Sequence, residues 1–236
     1  MAQLQSAGNL IAFPRADLRH LLGASVKRHR MPEELGQAVV REAANFANVS
    51  AHTALSCALA LRMSHEPIDF EKARGILLVG PAGSGKSAVA AKIHHAGALI
   101  GRKVELTRAD GGLALFRTRT NPPELLTVME ADGFNPLNSR AASAFSALGD
   151  IDGVETIGVI SAMSDAEDVS DIVTAFHFRR VIITNLDRTR RLGAALAASL
   201  SGARLAHVTY GPRPEDGLQM LEAGALAAQM LEITPH

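Results

Sequence analysis

The stretch that decides the fold is Gly75–Lys92, which reads GILLVGPAGSGKSAVAAK. An apolar run of strand length comes first, eight residues then fit the pattern G-x-x-x-x-G-K-[ST], and a helix-like segment follows. In this context the pattern indicates a phosphate-binding loop. The alternative is an ordinary glycine turn between a strand and a helix, which the joint match of strand, loop and helix disfavours.

The residue types of this loop suit phosphate chemistry. Glycines let backbone N–H groups curl around phosphate oxygens, and the start of the following helix adds positive potential. We expect Lys86 to neutralise the β- and γ-phosphates and the Ser87 hydroxyl to ligate Mg²⁺. The residues predicted to contact the nucleotide here are Gly80, Pro81, Ala82, Gly83, Ser84, Gly85, Lys86, Ser87 and Ala88.

Strand-like and helix-like segments alternate through the rest of the chain. Strand–helix alternation with apolar strands predicts a mostly parallel sheet covered on both faces, the doubly wound α/β fold of P-loop NTPases. We therefore expect a nucleotide-binding domain over residues 71–236. Its predicted strands are 75–80, 103–107, 125–129, 155–161, 180–184 and 204–209, and its predicted helices lie near 86–100, 139–148, 166–177, 188–201 and 222–232.

Residues 1–70 carry helical signals without strand signals. The stretch PRADLRHLLGASVKRHR has apolar residues at helical spacing, and Pro32 suits the first turn of a second helix. Ser50 or Thr53 could cap a third helix. The sequence predicts a small N-terminal helical bundle, against which we expect the amphipathic segment 222–232 to pack.

Composition and charge exclude several classes of protein. Lys+Arg and Asp+Glu are equal at 24 each, so no overall field favours nucleic acid or an acidic membrane. With Cys57 as the single cysteine, neither an intramolecular disulfide nor a cysteine metal cluster is expected. We see no signal peptide and no apolar run near the ~20 residues that span a bilayer, and we expect a cytoplasmic protein.

In parallel α/β sheets, ligands bind at the carboxyl ends of the strands. Four predicted strands deliver polar or glycine residues at that edge, so we expect these loops to face one nucleotide. Their candidate residues are Asp110 after the second strand, Glu130 and Gly133 after the third, Asn185 and Asp187 after the fifth, and Tyr210 and Gly211 after the sixth.

Four of these segments, in order, resemble the GTPases of the signal recognition particle. LLVGPAGSGKSAVAAKI is similar to their G-x-x-G-x-G-K-T-T-T-x-A-K-L loop, and GRKVELTRAD to their strand that ends in D-T-x-R. VIITNLDRTRRLGAAL resembles their T-K-x-D base loop, and VTYGPRPEDGL their closing loop, best matched in the flagellar-positioning group, FlhF. The resemblance covers residues 15–232.

The resemblance implies a set of ligands and partners. It implies binding of GTP or GDP with Mg²⁺, a helical N domain joined to a G domain, and pairing as a homodimer or as an N–G heterodimer. Asp187 would read guanine, while Lys86, Asp110 and Glu130 would serve hydrolysis and Ser87 and Glu130 the metal. A polar or membrane-associated protein partner and a peripheral place at the inner face of the membrane would follow, without direct contact to nucleic acid.

Departures from the family pattern concentrate where hydrolysis is driven. Gly111-Gly112-Leu113 replaces the threonine-x-arginine after Asp110, and Glu130 stands where the family has a shorter aspartate followed by an arginine. Arginines near a γ-phosphate are worth several powers of ten in rate, on the order of 10³–10⁵. We therefore expect the chain to retain nucleotide binding but to hydrolyse the nucleotide slowly unless a partner completes the site.

The base loop keeps one of its two family residues. A carboxylate at Asp187 can accept hydrogen bonds from guanine N1–H and the 2-amino group, which adenine does not offer together. Asn185 replaces a lysine whose stem covers the base and braces the phosphate loop, so we expect weaker guanine affinity. In the alternative, Asp187 merely caps the following helix.

Two other functions stay open at this point. A pseudo-GTPase that serves as an interaction module would explain the eroded motifs, and a P-loop ATPase or small-molecule kinase would share the phosphate loop. Two basic stretches bear on partners. Lys27–Arg30 is either a solvated helix end or a contact for acidic lipid or protein, and Arg188, Arg190 and Arg191 are either solvated or an interface.

Overall fold

The computed structural model describes residues 15–46, 48–118, 122, 124–135 and 151–232. The helix expected near 139–148 lies outside the described residues. The described helices are α1 Arg15–Arg28, α2 Glu33–Ala43, α3 Ala51–Arg62, α4 Lys86–Leu99, α5 Ala109–Thr118, α6 Ala166–Ala175, α7 Gly193–Leu200 and α8 Ala223–Leu231. The strands are β1 Gly75–Val79, β2 Lys103–Arg108, β3 Leu125–Glu130, β4 Val154–Ser161, β5 Arg180–Thr184 and β6 Arg204–Val208.

The six strands among the described residues form one parallel sheet in the order β2-β3-β1-β4-β5-β6. β1 and β5 are buried at every residue, which is why they appear in the sequence as continuous apolar runs. Because every strand runs the same way, the loops after β1, β3, β4, β5 and β6 meet at one edge. The predicted doubly wound P-loop NTPase sheet is confirmed.

The two faces of the sheet carry different cores. Along β1, Leu77 and Val79 face a large cluster that also contains residues of α1, α3, α6, α7 and α8. Ile76 and Leu78 face a smaller cluster that contains Val89 and other residues of α4. This alternation is the period of two that a strand imposes on its side chains.

The helical bundle and the sheet share the larger core cluster. α8 lies against α3 and α1, as predicted from the amphipathic C-terminal segment. The Met230 carbonyl at the end of α8 accepts hydrogen bonds from the hydroxyl of Ser25, at 2.6 Å, and from the guanidinium of Arg28. The division between residues 70 and 71 stays a prediction. No helix among the described residues has the length and apolar character to cross a membrane.

Two helices differ from the sequence expectation. The helix expected at 188–201 begins only at Gly193, after a 3₁₀ turn over Leu186–Arg188. A Cβ on Gly193 would lie 2.3 Å from the Arg30 carbonyl oxygen, so the missing side chain lets the start of α7 lie against the turn that follows α1. The helix α5 was not predicted, because its two glycines disfavour helix. A Cβ on Gly112 would lie 2.6 Å from the Thr107 side chain, so the missing side chain lets α5 lie against the sheet.

Candidate functional site

The phosphate loop joins β1 to α4 and packs tightly against its neighbours. Gly85 has φ +94°, a conformation that L side chains rarely adopt, and α4 begins at the next residue. The first amides of an α-helix have no acceptors within the helix, so those of α4 are available to an anion at this end. Ser87 and Ala88 are exposed in that first turn.

Lys86 turns its side chain back into the loop. Its Nζ donates hydrogen bonds to the carbonyl oxygens of Gly80, at 2.9 Å, and Pro81, at 3.0 Å. Burial lowers the pKa of Lys86, while the negative charge of Glu130 acts in the opposite direction. The ammonium is therefore held at the loop beside a carboxylate, where it can neutralise phosphate oxygens.

Ser87 and Glu130 form the pair that could hold a metal. The Ser87 hydroxyl donates a 2.7 Å hydrogen bond to Oε2 of Glu130, across the gap between α4 and the end of β3. A hydroxyl and a carboxylate side by side are oxygen ligands of the kind Mg²⁺ takes, and Mg²⁺ keeps several waters in sites with one or two protein ligands. Within the described ranges, no cluster of three His, Cys, Asp or Glu side chains could hold a metal. The residues present fit a hydrated Mg²⁺ bound mainly by nucleotide phosphates.

The loop after β3 lies directly on the phosphate loop. The Phe134 carbonyl accepts a 3.2 Å hydrogen bond from the Ala82 amide, and a Cβ on Gly133 would lie 2.7 Å from Ala82 Cα. The Phe134 ring stacks on Phe176 with centroids 4.2 Å apart, which anchors this loop in the core. Only glycine at 133 permits this approach, so the loop after β3 touches the phosphate loop.

The loop after β2 brings a different residue to the edge than expected. Asp110 is exposed in the first turn of α5, and no hydrogen bond or ion pair joins its side chain to any described residue. Arg108, the last residue of β2, pairs with Glu130 in the strand register and makes an ion pair with Asp132. Arg108 was not among the candidate site residues, although its position at a strand end was the signal that could have identified it.

The base loop begins with two residues that make hydrogen bonds around it. The buried Thr184 donates from Oγ1 to the Ser84 carbonyl at 2.6 Å, a contact that the sequence interpretation also missed. Asn185 has φ +59° and donates from Nδ2 to the Ser161 hydroxyl at 3.1 Å. Asparagine tolerates this left-handed conformation better than most residues. Its amide therefore bonds locally, as expected for a side chain too short to cover a base.

Asp187 lies in the 3₁₀ turn that follows. It is exposed, and its carboxylate makes no hydrogen bond or ion pair with the part of the chain that the structure describes. The N-cap of α7 is Leu192, without a side-chain cap, so Asp187 does not cap that helix. The capping alternative is thus wrong for α7, and the carboxylate faces solvent at the carboxyl edge.

The closing loop after β6 is fixed from two sides. A Cβ on Gly211, whose φ is +70°, would meet the carboxylate of Asp216, which accepts from the Arg213 amide at 2.9 Å. Lys92, wholly buried on α4, donates from Nζ to the Arg213 carbonyl at 2.5 Å. Burial raises the pKa of the neighbouring Tyr210. The Leu186 amide reaches the Thr209 carbonyl at 3.4 Å, so the base and closing loops lie side by side.

No protein-family model matches the chain, and no curated protein matches it. Several solved structures, in contrast, match this chain in fold. FlhF complexed with GTP and Mg²⁺ has a TM-score of 0.69 and 15% identity, covering 91% of this chain and 99% of that one. FtsY from Thermotoga maritima has a TM-score of 0.68 and 14% identity, covering 95% and 91%.

A third structure agrees with these two. The signal recognition particle receptor FtsY from Elizabethkingia anophelis, in complex with GDP, has a TM-score of 0.64 and 16% identity, covering 93% of this chain and 85% of that one. In each case the match covers more than nine tenths of this chain. The chain therefore has the fold of the FlhF and FtsY GTPases, as the resemblance of its loops implied.

Proposed function

We propose that this chain is a divergent guanine-nucleotide-binding protein of the signal-recognition-particle GTPase family, related to FlhF. The observation that carries the proposal is the arrangement around Lys86: its ammonium lies at the phosphate loop, and Ser87 contacts Glu130 at 2.7 Å beside it. The shared fold, together with the GTP and Mg²⁺ of the FlhF complex, supports the same ligands here.

Each part of the nucleotide has residues assigned to it in this proposal. Lys86 and the backbone of Gly80–Ser87 hold the phosphates, and Ser87 with Glu130 holds Mg²⁺, which when bound would neutralise phosphate charge. Asp187 accepts hydrogen bonds from guanine. Tyr210 and Gly211, on the loop beside it, enclose the base.

Hydrolysis in this proposal is slow or depends on a partner. Among the described residues, the arginine nearest to Glu130 along the sheet edge is Arg108, and its guanidinium is engaged by Asp132. An arginine already neutralised by a carboxylate stabilises less of the charge that develops during phosphoryl transfer. The output would then be a nucleotide-dependent regulator that docks a partner or pairs as a homodimer or an N–G heterodimer. A role in placing flagella or at the inner face of the membrane belongs to the same proposal.

A direct test is titration with fluorescent GTP and ATP analogues, with and without Mg²⁺. We expect GTP analogues to bind more tightly than ATP analogues, and Lys86→Ala to weaken both. Equal or tighter ATP binding would exclude the guanine assignment and leave a P-loop ATPase or a kinase.

The second candidate is a pseudo-GTPase that acts as an interaction module. The Arg108–Asp132 ion pair and the local bonds of Asn185 favour it, because both occupy groups that a working site would direct at the nucleotide. Turnover of GTP by the purified chain, at a rate that falls in Lys86→Ala, would exclude it. Binding without turnover, both alone and with added partner, would support it.

A further inference from the structure

A cavity of about 380 Å³ opens between the end of α1, the loop after β4 and the loop after β5. It lies next to the base loop but shares no residue with the predicted nucleotide site. Its volume is in the range of small-molecule sites, which run from about 300 to 1,000 Å³. We call it the arginine cavity, because its wall includes Arg30, Arg188 and Arg191 together with His29, Met163 and Asp165.

The wall of the arginine cavity has an excess of positive charge. None of the guanidinium groups of Arg30, Arg188 and Arg191 makes a hydrogen bond or ion pair with any residue the structure describes. Among the described residues of the wall, Asp165 alone is acidic, and its carboxylate accepts from the Glu167 amide at 2.9 Å as a helix cap. Three like charges around one concavity repel one another unless an anion lies between them. The three guanidinium groups and the carboxylate of Asp165 together give the wall a net charge of +2.

Arg30 is held there at a conformational cost. Its φ is +55°, and the amides of Arg30 and Met31 donate to the carbonyls of Lys27 and Val26 to end α1. Helices that end this way usually have glycine or asparagine in the left-handed position, and another residue costs about 1–2 kcal/mol. Strained residues of this kind concentrate at functional sites. The strain at Arg30 therefore supports a use for its side chain beyond ending the helix.

His29 closes the inner wall without being a ligand. The Leu192 amide donates to its Nδ1 at 3.3 Å, and its Nε2 lies 3.2 Å from the Met230 carbonyl. Both ring nitrogens are occupied, so the ring links α1, α8 and the start of α7. The groups available to an incoming molecule include the three guanidinium groups, the exposed hydroxyl of Ser164 and the apolar side chain of Met163.

We propose that the arginine cavity binds a phosphate-bearing ligand. A phosphate monoester carries about −1.5 to −2 charges, which matches the excess of two, whereas one carboxylate carries a single charge. Guanidinium groups also offer paired N–H donors with the geometry of phosphate oxygens. The phosphate could belong to a small soluble ester or to a lipid headgroup, and the chemistry of recognition is the same for both.

Inorganic phosphate tests the site, titrated calorimetrically into the protein carrying Lys86→Ala. That background weakens the phosphate loop, and inorganic phosphate has no base for the base loop to hold. We expect Arg188→Ala/Arg191→Ala to weaken binding at least about tenfold. Arg190→Ala is the matched control, since Arg190 lies in the same loop but not in the cavity wall, and we expect it to change the affinity less than about twofold.

Two further arms identify the source of the phosphate. Binding of glycerol 3-phosphate that needs both arginines assigns a soluble ester. Binding only of vesicles that contain phosphatidic acid, and not of phosphatidylcholine vesicles, assigns a lipid headgroup. No saturable binding of any phosphate probe, an equal loss in Arg190→Ala, or binding of a polyglutamate peptide in place of phosphate would overturn the proposal.

Discussion

The hydroxyl of Thr184 donates a 2.6 Å hydrogen bond to the carbonyl of Ser84, which lies 100 positions earlier in the chain. Thr184 is the last residue of β5 and Ser84 lies within the phosphate loop, so the bond joins the base loop to the phosphate loop. In the family that the sequence resembles, a lysine in place of Asn185 braces that loop. Here Thr184 makes the direct connection, while Asn185 bonds to Ser161.

Thr184→Val tests this connection. The change keeps the shape of the side chain but leaves the buried Ser84 carbonyl without its donor, which costs about 1–3 kcal/mol. We expect the free energy of unfolding to fall by that amount and guanine-nucleotide affinity to fall about tenfold. Denaturant unfolding and nucleotide titration measure the two effects.

The matched control for this change is Thr174→Val. It removes a hydroxyl that bonds to the Ser170 carbonyl on the exposed side of α6, away from both loops. Thr184→Ser keeps a hydroxyl and should retain most of the affinity. Equal nucleotide affinity in Thr184→Val and the unchanged protein would show that the bond does not brace the site.

Glu130→Gln tests the predicted metal pair. The amide keeps a hydrogen bond to Ser87 but loses the negative charge that attracts Mg²⁺. We expect nucleotide affinity to fall about tenfold in Mg²⁺ and to change little in EDTA, as measured by titration in both buffers. Asp171→Asn, which changes an exposed carboxylate on α6 away from these loops, is the control, and an equal loss with and without Mg²⁺ would contradict the assignment.

Asp187→Asn tests how the base is read. An amide in place of the carboxylate can no longer accept two hydrogen bonds from guanine but can donate one to the 2-oxygen of xanthine. We expect GDP affinity to fall by about 10²-fold or more and affinity for xanthosine diphosphate to rise. Asp171→Asn changes an exposed carboxylate on α6 and should leave both affinities unchanged. A GDP affinity that Asp187→Asn does not alter would mean that Asp187 does not read the base.

Acid should destabilise the protein through His207. Burial, with the nearby charge of Arg180, lowers the pKa of His207 from 6.5 to about 4. His207 therefore binds a proton near pH 6.5 in the unfolded chain but only near pH 4 in the folded chain. The contribution of neutral His207 to the free energy of unfolding is present above about pH 6.5 and is lost as the pH falls towards 4. Between pH 7 and 5 the loss should be about 2 kcal/mol.

Denaturant unfolding at the two pH values measures this loss. His207→Gln should reduce the loss of stability in acid, because glutamine does not titrate. The variant should still fold, since the glutamine side chain can accept from the Ile68 amide that bonds to His207 Nε2 at 3.1 Å. His94→Gln, an exposed histidine on α4, should leave the loss unchanged. If the free energy of unfolding of His207→Gln falls by the same amount between pH 7 and 5, the loss arises from other groups. His29 is among them, because burial also lowers its pKa.

The parts of the fold that the sequence predicted are those with a local signal. The fully buried strands β1 and β5 are continuous apolar runs and the phosphate loop has its own pattern, so these parts could be located from the sequence. α5 was missed because Gly111 and Gly112 argue against helix, while the contact of Gly112 with Thr107 arises only in the folded chain. The Thr184–Ser84 and Lys92–Arg213 hydrogen bonds join residues far apart in the sequence, so no local sequence pattern predicts them.

Guanine selectivity is the measurement that tests the proposed function most directly. Purified protein should be titrated with GTP and ATP analogues in Mg²⁺, alongside Lys86→Ala and Asp187→Asn. We predict that GTP binds at least about tenfold more tightly than ATP, that Lys86→Ala weakens both, and that Asp187→Asn removes the preference. ATP binding as tight as GTP binding, or a preference that survives Asp187→Asn, would contradict the assignment of this chain as a guanine-nucleotide-binding protein.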